Sequence, residues 1–313
     1  MPELLAILSP PRSFSSVVST MIGEHPQLYG FPEFHLFLGD TVQEVIDLEI
    51  KRVPTYAGPH GVLRTLAMLH DGVQTTTTVI RAAAWLNERR DWSTKRLMDY
   101  LLEKVSPKIG VEKSPLTAIK PACLERAYTF YPNAYYLHLT RHPLPSRTSI
   151  KEFKERGRKK TYRGMDQFLT WHFIHSNILN FTAGMPLGQY MRIRGEDVLS
   201  DPERFLPQIA EWMGLRTDRA AIEAMLHPEN SPYAVTGPQP AGGGNDPKFM
   251  RNPVLRKSNV KQPSLANFFA QGEKIDWLPE RVSIALEKSP LAMAPQKEIE
   301  EEISAMAALF GYY

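Results

Sequence analysis

The chain has 313 residues, 37 Lys and Arg against 34 Asp and Glu, and 42% hydrophobic residues. That is the balance of an ordinary soluble globular protein with a substantial core, and a net charge of +3 is too small by itself to point to nucleic acid. The single cysteine, Cys123, excludes an internal disulfide; with no signal-like opening segment and no apolar run near the ~18 residues of a membrane span, a cytoplasmic location without a membrane partner is expected.

Leu4–Leu8 is a short apolar run that reads as a buried strand. Ser9-Pro10-Pro11 ends it, Arg12-Ser13-Phe14-Ser15-Ser16 follows, and Val17, Val18, Met21 and Ile22 take up helical spacing before Gly23. A strand, a polar loop and a helix N-terminus make an anion cradle, in which free N–H groups face the loop and Arg12 adds a full charge. A plain helix cap at Ser15 or Ser16 beside a surface arginine is the competing interpretation. Tyr29 to His35 reads as extended, placing Glu33 and His35 on one side of the backbone. Asp40-Thr41-Val42-Gln43 resembles a capping box, opening a helix to about Arg52. Helical stretches over 62–69, 79–90 and 93–105 follow. Ile109-Gly110-Val111 predicts a strand ending in Glu112-Lys113, and Ser114 with Pro115 predicts a helix start running on to Phe130.

Ala134–Thr140 predicts a third strand, ending at Arg141 and leading into a helix that carries Ser149. Residues 151–163 hold seven basic and two acidic side chains, by majority reading a solvated face. A helix over 166–181 precedes a fourth strand at Tyr190–Arg194, then Gly195-Glu196-Asp197 and an amphipathic helix from Asp201-Pro202. Residues 228–263 are a Gly/Pro-rich loop containing Gly242-Gly243-Gly244, which could offer backbone N–H groups to an anion beside Lys248 or Arg251. The chain ends in a helix with Ile299, Ile303, Met306, Ala307 and Phe310 on one face.

Strands alternating with helices predict an α/β fold with a mostly parallel sheet flanked by helices, whose ligand edge lies beyond the carboxyl ends of the strands. Three of the four predicted strands end there in a cation, Arg12, Lys113 or Arg141. The nucleoside-triphosphate pattern G-x-x-x-x-G-K-[ST] is absent, since no glycine lies between residues 1 and 22. The loop therefore offers an anion site without an evident metal ligand. This suits transfer of a group less charged than a phosphoryl, such as a sulfuryl group. His172 and His175 are read as core or pocket lining rather than a metal site.

Pro11-Arg12-Ser13-Phe14-Ser15-Ser16 resembles the 5′-phosphosulfate loop of sulfotransferases that use 3′-phosphoadenosine 5′-phosphosulfate (PAPS), and Arg141 with Ser149 resembles their 3′-phosphate motif. Glu112-Lys113-Ser114-Pro115, Gly195-Glu196-Asp197-Val198 and the ending Phe310-Gly311-Tyr312 are similar to further blocks of that family, and the resemblance covers roughly residues 1–215. Two positions depart from the pattern. Phe14 stands where the family usually has glycine, and Gly195 where many members carry an aromatic ring.

The resemblance implies a P-loop-like sulfotransferase architecture in a single domain over 1–313, with a helical insertion (about 40–106) covering the active site. It implies PAPS as cofactor, 3′,5′-ADP as product and no metal. Arg12, Ser13, Phe14, Ser15 and Ser16 are implied at the phosphosulfate, and Arg141 and Ser149 at the 3′-phosphate. Glu33, 21 residues after Arg12, is implied as the catalytic base, with His35 the competing base and Arg12 and Lys113 stabilising the transition state. Pro32-Glu33-Phe34-His35, Trp85–Trp92, Val111–Pro115 and Gly242–Phe249 look most like sulfotransferase domains of polyketide and olefin synthases. The implied partner is an acyl carrier protein bearing a β-hydroxyacyl chain, with a downstream thioesterase completing elimination to a terminal alkene. A free metabolite, sugar or tyrosine hydroxyl is the alternative acceptor, and an ATP-dependent kinase the alternative reaction.

Overall fold

A computed structural model describes residues 3–52, 58–155, 167–254, 263–272 and 294–313, together with Ser289 and Leu291. Residues 156–163, most of the basic run, lie outside the described residues. Five strands form one sheet: β1 (Leu4–Leu8), β2 (Leu28–Gly30), β3 (Ile109–Glu112), β4 (Tyr135–Thr140) and β5 (Tyr190–Arg194). Their order is β2-β3-β1-β4-β5, and each pairing is parallel. The α/β class expected from the alternation is therefore the one observed. β2, a three-residue edge strand, is the addition to the four predicted ones; it is too short to carry a periodic signal.

Both faces of the sheet are buried, which is why its strands read as continuous apolar runs. Leu4, Ala6 and Leu8 of β1 point into one core cluster, while Leu5 and Ile7 point into the other. Helices α1 (Ser15–Gly23), α2 (Val42–Arg52), α3 (His60–Asp71), α4 (Thr76–Asn87), α5 (Thr94–Val105) and α6 (Pro121–Phe130) precede β4. Then come α7 (Pro143–Glu155), α8 (Gln167–Thr182), α9 (Gly195–Ser200), α10 (Pro202–Trp212), α11 (Arg219–Met225), α12 (Pro247–Arg251), α13 (Leu265–Ala270) and α14 (Gln296–Leu309). A third cluster joins Phe168, Leu169 and Trp171 of α8 to Ile299, Ile303, Met306 and Ala307 of α14 and to Phe310 just beyond it. None of the helices among the described residues is long and apolar enough to cross a membrane.

Two local expectations are corrected. The cap of α2 is Thr41, whose Oγ1 accepts from the Glu44 amide (3.2 Å) while the Glu44 carboxylate takes the Asp40 amide (2.7 Å). The helix expected from Ser114 to Phe130 is instead a 3₁₀ turn (Pro115–Ile119) followed by α6. Pro121 forces Lys120 into extended backbone (φ −122°, ψ 125°), and that breaks the run.

Under the sheet, His138 of β4 and His175 of α8 share a hydrogen bond (2.7 Å), and His138 Nδ1 meets the Tyr190 hydroxyl (3.1 Å). Burial pushes His138 down to about 3 and His175 well below the usual imidazole range. Each of these two imidazoles thus binds fewer protons in the folded protein than in the unfolded chain below about pH 6.5. Their contribution to stability is full above about pH 6.5 and declines as the pH falls, by up to ~1.4 kcal/mol per pH unit for His138, while Glu24, raised to about 7 by burial, acts in the opposite sense. Urea midpoints of the parent protein and His138→Gln at pH 7.5 and 5.5 isolate the histidine; the parent should lose more stability than the variant on acidification, and an equal loss would refute it.

Candidate active site

The strand order reverses at β1, which feeds α1 and β2 on one side while β4 and β5 lie on the other, so the crevice opens at the carboxyl ends of β1, β3 and β4. A cavity of about 960 Å³ lies there, lined by Arg12, Ser15, Ser16, Glu33, His35, Arg141 and Ser149, all expected site residues. Phe14 lines it too, whereas Ser13 lies fully buried behind the loop.

The loop after β1 ends in an uncapped helix. Phe14 is the N-cap of α1 in left-handed backbone (φ 61°), with no side-chain cap and no acid in the first turn. The first-turn amides and the positive end of the dipole therefore face the cavity. That removes the plain-cap interpretation of Ser15 and Ser16. Among the described residues three non-glycine residues have positive φ, namely Arg12 (69°), Phe14 and His35 (59°), and all three line this cavity. Such backbone costs of order 1–3 kcal/mol per residue and tends to gather at functional sites.

The two departures from the family pattern compensate each other. A Cβ on Gly195 would fall 2.8 Å from Cδ2 of Phe14, so the Phe14 ring fills the space that the glycine leaves. The Arg141 guanidinium lies over the same ring, 4.0 Å from its centroid. Arg141 NH1 also donates to the Arg12 carbonyl (2.5 Å), and burial pushes Arg141 down to about 10. Nε of Arg141 and the Ser13 hydroxyl are buried and have no hydrogen-bond partner. Cationic and hydroxyl donors left in this state fit an anion.

Lys113 follows β3 and is fully buried. Its Nζ donates to Glu33 Oε1 (2.5 Å), Ser16 Oγ (3.1 Å) and Asn245 Oδ1 (3.2 Å). The residues on either side of it brace the neighbouring loop. Ser114 Oγ donates to Glu112 and accepts the amides of Phe34 (3.2 Å) and His35 (3.0 Å). Ser114 does stand at the N-cap position of the 3₁₀ turn with Pro115 after it, but its hydroxyl braces the neighbouring loop and makes no capping bond. Burial raises Glu112 above the usual carboxylate range.

Glu33 sits just beyond β2, where its amide donates to the Gly244 carbonyl (2.7 Å). A Cβ on Gly61 would fall 2.0 Å from the Glu33 carbonyl oxygen, so only glycine allows α3 to approach so closely. The backbone does not stay extended to His35 as expected. It turns left-handed there and still brings His35 Nε2 to 3.7 Å from Glu33 Oε2. His35 Nδ1 lies 2.8 Å from Glu49 Oε1, on α2.

Arg12 Nε donates to Ser149 Oγ (3.0 Å), and Arg12 NH1 pairs with Asp246. The amide of Asp246 donates to Ser16 Oγ (3.0 Å). The Gly-rich loop therefore brings Asn245 and Asp246 onto Lys113, Ser16 and Arg12. Of the three glycines that could offer amides to an anion, Gly243 does not, because its amide donates to His60 Nδ1 (2.9 Å). Buried Arg64 anchors this loop, donating to the carbonyls of Gly243 and Val235 (2.9 Å each), and burial pushes it down to about 10. Asn245, Asp246, Glu49 and Arg64 were not readable as site residues. The signals nearby were the triple glycine and the family-like block Gly242–Phe249, neither of which assigned a role to Asn245 or Asp246. At the far edge, Tyr312 Oη bonds Glu196 Oε2 and Thr140 Oγ1 (2.9 Å each), and Glu196 Oε1 accepts the His142 amide (2.8 Å), fixing the turn that carries Arg141.

The model of a family described as the sulfotransferase family matches residues 4–219. Among solved structures, the sulfotransferase domain from the curacin biosynthetic pathway is similar over 100% of this chain and 99% of its own, at TM-score 0.71 and 22% identity. The sulfotransferase domain from the Synechococcus PCC 7002 olefin synthase is similar over 100% and 96%, at TM-score 0.65 and 21% identity. No curated protein matches.

Proposed function

The chain belongs to the sulfotransferase family, and from that premise we propose that it moves a sulfuryl group from PAPS to the β-hydroxyl of an acyl chain held on an acyl carrier protein. The observation that carries the reading is convergence: cations following β1 and β4 line one cavity with a carboxylate following β2, and the buried ammonium following β3 pairs with that carboxylate. When bound, PAPS supplies the sulfuryl group and leaves as 3′,5′-ADP. Arg12, the first-turn amides of α1 and Ser16 would hold the phosphosulfate, and Arg141 with Ser149 the 3′-phosphate. The partnerless Nε of Arg141, which lines the cavity, supports an anion there.

Glu33 takes the proton of the acceptor hydroxyl through Oε2, since Oε1 is held by Lys113. Lys113 and Arg12 offset charge as it moves toward the leaving phosphate. Leu116, Ile119 and Val254 also line the cavity and offer apolar surface to an alkyl chain. The carrier-linked acceptor is supported by the two solved domains, which come from a biosynthetic pathway and an olefin synthase, and by the basic run 151–163, which suits an acidic partner. Incubation with PAPS and either β-hydroxyacyl carrier protein or the free hydroxy acid tests it. Sulfation of the carrier-linked chain is expected, and sulfation of the free acid alone would refute the carrier.

Asp246 places a negative charge on Arg12, where an incoming polyanion must compete for it. Asp246→Asn should therefore tighten 3′,5′-ADP binding, by roughly five- to thirtyfold if ~1–2 kcal/mol of competition is removed. Titration calorimetry measures this, and unchanged or weaker binding would show that Asp246 supports the site instead.

A further inference from the structure

The Glu49–His35 pair lies at the cavity, and the reading above gives it no task. The two side chains are 3% and 6% exposed and meet at 2.8 Å, with His35 Nε2 turned to Glu33 Oε2 at 3.7 Å. A carboxylate acceptor on Nδ1 fixes the hydrogen on that nitrogen, and the neutral ring then presents its lone pair at Nε2. The ring is also held from behind, through the His35 amide on Ser114 Oγ and the left-handed backbone. One nitrogen is thus fixed by a buried acid while the other faces the carboxylate read as the base. A hydroxyl between Glu33 Oε2 and His35 Nε2 could reach both.

We propose that Glu49 is a positioning residue that makes His35 the second proton acceptor of the site; this rests on the sulfuryl-transfer reading of the cavity. The acceptor O–H bond breaks as its oxygen bonds to sulfur, and the S–O bond to the phosphate breaks with its electron pair going to the phosphate. The proton passes to Glu33 Oε2 and on to His35 Nε2, where the imidazolium is balanced by Glu49. Once product has left, the proton returns through Glu33, which is the more exposed of the three, to solvent.

The test uses Glu49→Leu and Glu49→Gln in the whole chain. Glu49→Leu should lower kcat by roughly 10–100-fold, the range typical of a lost orienting partner, with the KM for PAPS within about twofold. Glu49→Gln keeps an acceptor oxygen and should recover part of that loss. Long-range ¹H–¹⁵N spectra of the neutral His35 ring, recorded without substrate, should show the Nδ1–H tautomer in the parent protein and in Glu49→Gln, and Nε2–H in Glu49→Leu. Full kcat in Glu49→Leu, retention of the Nδ1–H tautomer in it, or a glutamine variant no more active than the leucine one would overturn the proposal. A parent protein that shows the tautomer but transfers no sulfuryl group would instead refute the reading of the site.

Discussion

Glutamine in place of Glu33 is expected to lower kcat by roughly 10²–10⁴ while 3′,5′-ADP affinity stays within a few-fold. The substitution keeps the shape of the side chain and an oxygen for Lys113 Nζ, which stands 2.5 Å from Oε1. The backbone anchors, the Gly244 carbonyl on one side and Gly61 on the other, do not involve the side chain. What is lost is the ability to take up a proton, so the defect belongs in the chemical step and not in binding. Single-turnover rates with saturating PAPS measure it. A fully active Glu33→Gln beside an inactive His35→Ala would transfer the role of base to His35.

Methionine in place of Lys113 is the second large effect, a fall of roughly 10²–10³ in kcat, as when one preorganised donor to a developing negative charge is removed. Lys113 has no exposed surface, and its ammonium holds Glu33, Ser16 and Asn245 together. Its removal takes the ammonium partner from the Glu33 carboxylate, so a loss of thermal stability should accompany the loss of rate. Lys113→Arg should not rescue either, because a planar guanidinium cannot reproduce three contacts converging on one nitrogen in a closed site. Wild-type kcat in Lys113→Met would show the ammonium to be structural.

The anion cradle was readable from the sequence because every part of it is local. The apolar run, the prolines, the arginine and the switch to helical spacing all lie within residues 4–22. Arg141 and Lys113 were readable because parallel strands deliver the residues that follow them to one edge. Partners supplied by distant loops were not. Asp246 reaches Arg12 across 234 positions, and Glu49 reaches His35 only because the chain turns left-handed there. The pairing of Phe14 with Gly195 explains two departures that looked unrelated in sequence, a large residue in a left-handed position and a missing ring opposite it. Ser114 was assigned to a helix start because Ser-Pro is a common opening, but its hydroxyl is taken up by Glu112 and two amides.

The central claim is that this cavity transfers a sulfuryl group from PAPS to a hydroxyl. It is tested most directly by incubating the protein with PAPS and the β-hydroxyacyl carrier protein in the presence of chelator, while following 3′,5′-ADP and the mass of the acyl chain. Release of 3′,5′-ADP in step with sulfation of the chain is the expected result. Intact PAPS and an unmodified acyl chain, from protein that phosphorylates the same acceptor in a parallel incubation with Mg·ATP and no chelator, would contradict it.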